Sequence, residues 1–114
     1  MKMIVAIVKP AVTEAVMDAL GGIGISGLTV SEVKGHGRQK GQTEIYRGAE
    51  YQVTLVPKVR FEVAVDDGVA EKVVETIARA AKTGKIGDGK IFVLDIQSAL
   101  RIRTGERDSD AITA

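Results

Sequence analysis

The feature that most constrains the fold is a strand–helix–strand order that occurs twice within the 114 residues of the chain. In the second copy, apolar and polar residues alternate from Lys58 to Asp66, as they do in a strand with one buried face. Asp67 can cap the helix that follows, Gly84 lies past the end of that helix, and a strand over residues 91–96 completes the unit. The apolar residues that recur at helical spacing in this helix are Val69, Val73, Ile77 and Ala80.

The first copy begins with a β-rich run over residues 2–9, which Pro10 ends. Thr13 can cap the next helix, a cluster of glycines ends it, and a second strand follows over residues 28–34. Two such units joined by a long segment are the order of the ferredoxin-like double βαβ fold. This is an α+β fold in which two helices cover one face of a four-stranded antiparallel sheet. The chain length fits a single domain over residues 1–114.

The other face of the predicted sheet has no obvious cover, because little chain remains after residue 97. Symmetric self-association would bury such a face, and we favour this interpretation. The alternative is a polar, solvated face, which Lys58, Arg60 and Glu62 partly support.

A polar stretch that glycines interrupt joins the two units and runs from about residue 37 to residue 55. Loops longer than about 12–15 residues inside a compact domain are usually functional, so we expect this one to bind a partner. The alternative is a hairpin extension, since residues 52–56 are strand-like and could form one of its arms.

Composition excludes several classes of protein. Sixteen basic and fifteen acidic residues leave a formal net charge of +1, so no general field favours nucleic acid. The absence of cysteine excludes disulfides, thiolate zinc sites and cysteine nucleophiles, and it suits a reducing cytoplasm. No apolar run reaches the ~20 residues of a membrane span, and Lys9-Pro10 interrupts the one run that looks like a signal peptide. We therefore expect a cytoplasmic protein whose anion sites, if any, are local.

Residues 83–90, Thr-Gly-Lys-Ile-Gly-Asp-Gly-Lys, almost match a phosphate-binding P-loop. Ile91 stands where a P-loop has serine or threonine, and the segment leads from a helix into a strand, so a Walker ATPase is not expected. The Gly-Asp-Gly backbone can still form an anion nest beside Lys90. An ordinary glycine-rich turn is the alternative.

Basic residues cluster around the glycine turns. Arg101 and Arg103 would point the same way from an extended chain and could grip neighbouring phosphoryl oxygens. Further cations near the base of the long loop are Arg38, Lys40 and Lys58. Each could be a solvated surface charge, but their concentration favours a polyphosphate ligand. His36 has no second histidine or cysteine with which to bind a metal, and we interpret it as structural or incidental.

Two other classes of protein share parts of this pattern. A phosphoryl transferase could use the same anion nest, but no general base is evident in the sequence. An RNA-binding module of the RRM type has the same topology. Aromatic residues make up only 4% of this chain, however, and the strand from Lys58 to Asp66 does not have the aromatic pattern of an RNP1 motif. We therefore expect neither an enzyme nor a nucleic-acid partner.

Residues 46–51, Tyr-Arg-Gly-Ala-Glu-Tyr, and residues 83–93 resemble the two signatures of the PII family of nitrogen-regulatory signal-transduction proteins. The resemblance extends over nearly the whole chain. It implies a non-catalytic homotrimer with ATP or ADP in clefts between subunits and a T-loop, about 37–55, that docks on target proteins. It also implies a B-loop at about 82–90 and a C-terminal arm, about 98–114, that reaches the neighbour's nucleotide.

The same resemblance assigns individual residues to ligands. The nucleotide-binding residues it predicts are Ile7, Thr29, Gly35, Gly37, Arg38, Gln39, Glu62, Ala64, Gly87, Asp88, Gly89, Lys90, Arg101 and Arg103. The residues it predicts around 2-oxoglutarate are Gln39, Lys58 and Gly87, with Gln39 also a ligand of Mg²⁺. Tyr51 matches the tyrosine that is nucleotidylated in many members, and Ala64 departs from the usual valine.

The resemblance also implies the partners. The family's usual targets are an ammonium channel, enzymes or kinases of nitrogen metabolism, and a nucleotidyltransferase. We therefore expect regulation of enzymes, recruitment to a membrane channel without insertion, and no nucleic acid. The residues after Glu106 receive no assignment.

Overall fold

The computed structural model describes residues 1–36, 43–46, 49–52 and 55–113. The strands in these ranges are β1 (Lys2–Val8), β2 (Thr29–Gly35), β3 (Thr43–Tyr46), β4 (Ala49–Gln52), β5 (Val56–Val65) and β6 (Lys90–Asp95). The helices are α1 (Thr13–Gly22), α2 (Asp67–Ala81) and the short α3 (Ser109–Ile112), and a 3₁₀ turn, Pro10–Val12, precedes α1.

Four of the strands form one antiparallel sheet in the order β2-β5-β1-β6. This order confirms the predicted ferredoxin-like α+β fold. Strands β3 and β4 pair with each other in a separate two-stranded ladder. The alternative of a hairpin arm over residues 52–56 is not a single strand here, since Gln52 ends β4, Val56 begins β5, and residues 53 and 54 lie outside the described residues.

The core lies between the helices and one face of the sheet. The alternation predicted on β5 is confirmed, since Val59, Phe61, Val63 and Val65 are all buried. The stripe predicted on α2 is only half right: the buried residues are Ala70, Val73, Ile77 and Ala81, whereas Val69 is 44% exposed. Periodicity finds the centre of a buried stripe, but the margin depends on how neighbouring elements pack.

Both predicted helix caps are wrong. Thr13 is already helical, and its hydroxyl donates to the carbonyl of Pro10 at 2.7 Å. Asp67 is the first residue of α2, and its carboxylate accepts from the amino-terminal ammonium group at 2.8 Å. Asp66 holds the N-cap position without a side-chain cap, because its carboxylate accepts from the hydroxyl of Ser109 at 2.7 Å. Other partners therefore occupy the groups that a local pattern assigns to capping.

The helices leave the second face of the sheet open. The register places Val5 opposite Glu62 and Phe92, so these three side chains share that face. Phe92 is 49% exposed and Leu94 is 50% exposed. Self-association through this face stays a prediction. None of the helices within the described ranges is long and apolar enough to cross a membrane.

Candidate functional site

A cleft of about 560 Å³ opens on the uncovered sheet face, where β1 ends and the glycine turn begins. Its lining residues are Ile7, Gly35, His36, Val56, Lys58, Ile86, Gly87, Asp88, Gly89, Lys90 and Phe92. Gly35 ends β2 and pairs with Val56 at the start of β5. The cleft therefore lies at the root of the segment that joins the two halves of the fold.

The turn on one side of the cleft needs glycine for its backbone. Gly84, Gly87 and Gly89 have φ values of 82°, 96° and 98°, which residues other than glycine rarely adopt. A Cβ atom at Gly89 would lie 1.7 Å from the carbonyl oxygen of Ile7, so the turn packs directly on the end of β1. Among the described residues, no hydrogen-bond partner is found for the backbone N–H groups of Gly87 and Asp88. Both residues line the cleft, so their N–H groups are available to an anion there, as in an anion nest.

The carboxylate of Asp88 folds back into its own turn. It accepts from the backbone N–H groups of Thr83 and Gly84, both at 2.9 Å, and from the hydroxyl of Thr83. The ammonium group of Lys9 lies 3.3 Å from this carboxylate. The hydrogen bond from the Thr83 hydroxyl is the main cause that holds the pKa of Asp88 well below its usual range, with further help from the two N–H groups and Lys9. The side chain of Asp88 thus stabilises the turn, and only its N–H group is suited to an anion.

Lys58 forms the floor of the cleft. It is 8% exposed, and its ammonium group donates to the carbonyl of Gly87 at 2.6 Å. Burial lowers the pKa of Lys58, the charge of Lys9 lowers it further, and Asp88 opposes both effects. This contact ties β5 to the glycine turn and holds a positive charge in a partly desolvated position.

The cleft concentrates positive charge in a chain that is nearly neutral. Lys58 and Lys90 line it, and Lys9 lies behind the turn, 3.2 Å from the hydroxyl of Thr83. Since the carboxylate of Asp88 is occupied within the turn, the ammonium groups and backbone N–H groups dominate the field in the cleft. An anion with several oxygens, such as a polyphosphate, fits this set of donors.

The chain brings together one part of the predicted site. The predicted ligand-binding residues that line the cleft are Ile7, Gly35, Lys58, Gly87, Asp88, Gly89 and Lys90. Gly37, Arg38 and Gln39 lie outside the described residues, and Tyr51 lies in β4 with its side chain outside them.

The remaining predicted residues lie away from the cleft. Thr29 is opposite Glu62 on the open face, and Ala64 is opposite Met3. Glu62 lies four residues beyond Lys58 on β5, which is about 13 Å along a strand. These residues do not line the cleft of their own chain.

The two arginines after β6 lie in a turn, so the extended segment predicted for them is wrong. The N–H of Gly105 donates to the carbonyl of Arg101 at 2.8 Å, and Gly105 has a φ of 75°, so the chain turns here. Arg103 is exposed in this turn. The guanidinium group of Arg101 donates to Glu106 at 3.3 Å and to the carbonyl of Ala111 at 3.1 Å.

Sequence reasoning missed several residues of this site. Lys9 and Thr83 support the turn, although 74 positions separate them along the chain. His36, interpreted from sequence as structural or incidental, lines the cleft beside Val56. Its position directly after β2 was the available signal. No group of three histidine, aspartate or glutamate residues suited to a metal ion occurs in the described part of the chain.

The similarity to known proteins extends over almost the whole chain. A family model described as Nitrogen regulatory protein P-II matches residues 1–106. The Nitrogen regulatory protein P-II of Rhizobium etli is 59% identical over 112 residues, which are 98% of this chain and 100% of that relative. Nitrogen regulatory protein P-II 1 of Escherichia coli strain K12 and Nitrogen regulatory protein P-II of Klebsiella oxytoca are each 58% identical with the same coverage.

These matches include every residue that lines the cleft and both arginines after β6. They confirm the resemblance carried by the two signatures. The chain therefore belongs to the P-II family of nitrogen regulatory proteins, which are signal transducers that act on target proteins and are not enzymes.

Proposed function

We propose that this protein senses ATP and ADP in the cleft and, in the presence of Mg²⁺ and ATP, also binds 2-oxoglutarate. The bound ligands then control how the T-loop, about residues 37–55, docks on target proteins. The observation that carries this proposal is the glycine turn, in which the carboxylate of Asp88 is bound within the turn while Lys58, Lys90 and the residues of the turn line the cleft. Such a site favours a bound polyphosphate over any neutral ligand.

The phosphates would lie against residues 87–90. Hydrogen bonds to charged groups are the strong ones, and the ammonium group of Lys90 and the N–H groups of the turn supply them without moving the backbone. The adenine would lie on the apolar part of the open face, where Ile7 lines the cleft. Its polar edge needs further partners, and the cleft of one chain does not supply them.

A second copy of the chain would complete the site. Thr29, Glu62 and Ala64 share the open face but not the cleft, so they are available to a nucleotide held by a neighbour. The half-exposed side chains of Phe92 and Leu94 would be buried by the same contact. A homotrimer with three equivalent sites satisfies both requirements with one repeated interface.

The effector would act at the root of the T-loop. Lys58 supplies a partly desolvated ammonium group for a carboxylate of 2-oxoglutarate, next to the carbonyl of Gly87. Gln39, outside the described residues, would supply an oxygen ligand to Mg²⁺, which takes six oxygen ligands and accepts them from phosphates as well. Gln39 lies four residues after the end of β2 at Gly35, so a change in its position redirects the chain that follows.

Targets would then read the state of the T-loop. We propose an ammonium channel, enzymes or kinases of nitrogen metabolism, and a nucleotidyltransferase that modifies Tyr51, all acting on a cytoplasmic trimer. Because coupling between two ligands is reciprocal, a target that selects one loop state must weaken 2-oxoglutarate binding by the factor by which 2-oxoglutarate weakens target binding.

Calorimetric titration of the full chain tests this proposal. We expect saturable ATP binding in the presence of Mg²⁺, and 2-oxoglutarate binding only when Mg²⁺ and ATP are both present. Gln39→Ala should abolish the second binding event and retain the first. Saturable 2-oxoglutarate binding without Mg²⁺, or unchanged affinity in Gln39→Ala, would contradict the proposal.

A further inference from the structure

The side chain of Arg101 is held by the chain that follows it. Its Nη1 donates to the carboxylate of Glu106 at 3.3 Å, and its Nη2 donates to the carbonyl oxygens of Ala111, at 3.1 Å, and Thr113. We call these three contacts the Arg101 latch. They give residues 107–113, to which the family signatures assign no role, a specific task within the fold.

The acceptors of the latch are themselves fixed. The N–H of Asp108 donates to the carbonyl of Ala99 at 2.9 Å, and its carboxylate accepts from the N–H of Ala99 at 3.1 Å. Asp108 has a φ of 53°, which is unusual for a residue other than glycine, and these two contacts with Ala99 lie at this position. Ser109 then anchors α3 to the start of α2 through Asp66 at 2.7 Å, and Thr113 donates back to the carbonyl of Ser109 at 3.2 Å.

The latch uses the same donors that a phosphate would need. A guanidinium group has five N–H donors in a planar fork, and three of them are engaged here. The carboxylate of Glu106 also pairs with the positive charge of Arg101 and would repel a phosphate brought to the same place. Arg103 differs, because it is exposed and makes no hydrogen bond or ion pair with the described residues.

We propose that the Arg101 latch is an autoinhibitory contact, in which residues 107–113 and the phosphates of a nucleotide compete for one guanidinium group. The inference rests on the proposed function, since it takes Arg101 to be a nucleotide ligand. Binding of a nucleotide opens the latch and releases α3 from the start of α2. By reciprocity, any change that weakens the latch strengthens nucleotide binding through Arg101.

Two variants weaken the latch and leave the side chain of Arg101 itself unchanged. Ala111→Pro removes the N–H that donates to the carbonyl of Asp108 at 2.9 Å and disrupts α3, and Ser109→Ala removes the anchor to Asp66. In calorimetry with MgATP, we expect each to raise the affinity about threefold to tenfold, the equivalent of one or two hydrogen bonds. Ser98→Ala, which removes an exposed hydroxyl with no hydrogen bond among the described residues, is the matched control and should change nothing.

The background in which the variants are measured tests the mechanism. In an Arg101→Ala chain, Ala111→Pro should no longer change the affinity, whereas in an Arg103→Ala chain it should raise the affinity by the same factor as in the wild type. An equal gain in the Arg101→Ala background, an unchanged affinity in the wild-type background, or a loss of affinity would each overturn the proposal.

Hydrogen exchange separates failure of this inference from failure of the proposed function. We expect Arg101→Ala to accelerate exchange of the backbone N–H groups of Ala111 and Thr113 without any ligand, because the latch holds their segment, and we expect MgATP to accelerate the same two groups in the wild type. If the wild type binds MgATP while these groups stay protected, the latch does not open and the inference is wrong. If the wild type does not bind MgATP at all, the nucleotide site itself is wrong, whatever the exchange shows.

Discussion

The glycine turn at residues 83–90 and the segment at residues 99–113 differ in which charged side chain is bound within the chain, an acidic one in the turn and a basic one in the segment. In the turn, the carboxylate of Asp88 accepts hydrogen bonds from Thr83 and Gly84, which leaves the ammonium groups and backbone N–H groups around the cleft available to an anion. In the later segment, the guanidinium group of Arg101 is itself hydrogen-bonded, to Glu106 and to the carbonyl of Ala111. The first region is therefore ready for an anion, whereas Arg101 in the second must exchange partners before it can bind one.

This difference divides the site into two parts. The shape of the cleft depends on backbone contacts, such as that between Gly89 and the end of β1. The arginines depend on a turn closed by Gly105 and on one short helix. Changes to the backbone of the turn should therefore abolish binding, whereas changes to the contacts that hold Arg101 should adjust it.

The largest effect is expected from Gly89→Ala. The new Cβ would lie 1.7 Å from the carbonyl oxygen of Ile7, so the turn must move away from β1. We expect nucleotide binding to be lost and the free energy of unfolding to fall by about 2–4 kcal/mol. Gly68→Ala is the matched control, because a Cβ there contacts nothing within 4 Å and the residue lies in α2. Chemical denaturation and calorimetry on both variants make the comparison, and near-normal ATP binding by Gly89→Ala would show that the turn does not shape the site.

The next effect is expected from removing single cations. Lys90→Ala removes a charge that lines the cleft, and Arg103→Ala removes an exposed charge that the fold does not use. We expect each to weaken MgATP binding about 10-fold to 100-fold, as for charged hydrogen bonds, with the stability unchanged. Lys72→Ala, on the exposed side of α2, should bind like the wild type. Wild-type affinity in both test variants would exclude the proposed phosphate contacts.

The smallest effect is expected from Asp88→Asn, and it depends on pH. Because the pKa of Asp88 is lower in the folded state than in the unfolded chain, the ionised carboxylate stabilises the fold above the unfolded value and loses this contribution as pH falls toward the folded value. The melting temperature of Asp88→Asn should thus lie below that of the wild type at neutral pH, and the gap should close as pH falls below about 4.

Asp18→Asn, at an exposed position of α1, serves as the control for that experiment. Its melting temperature should follow the wild type at every pH. A gap between Asp88→Asn and the wild type that stays constant down to the lowest pH would mean that the charge of Asp88 does not hold the turn.

The two regions also differ in how well the sequence predicts them. The buried face of β5 and the glycine turn follow from alternation and glycine spacing, which are local properties, and the strand order follows from the fold that the repeated strand–helix–strand order indicates. The support that Lys9 gives to the turn cannot be predicted from such local patterns, because Lys9 and its partner Thr83 lie 74 positions apart in the sequence. The contacts of Arg101 are hidden for another reason: two of its acceptors are backbone carbonyls, which every residue possesses.

The central claim of the proposed function is that the arm of one chain, about residues 98–114, completes the nucleotide site in the cleft of another, and mixed assemblies of the proposed trimer test it most directly. Lys90→Ala damages only the cleft and Arg103→Ala damages only the arm, so each homotrimer should bind MgATP poorly. After the two variants are unfolded together and refolded, random assortment should restore tight binding at about one quarter of the sites, where an intact cleft meets an intact arm. Calorimetry that finds this fraction of tight sites supports the account. A mixture in which no tight site appears would contradict it, because each site would then lie within a single chain.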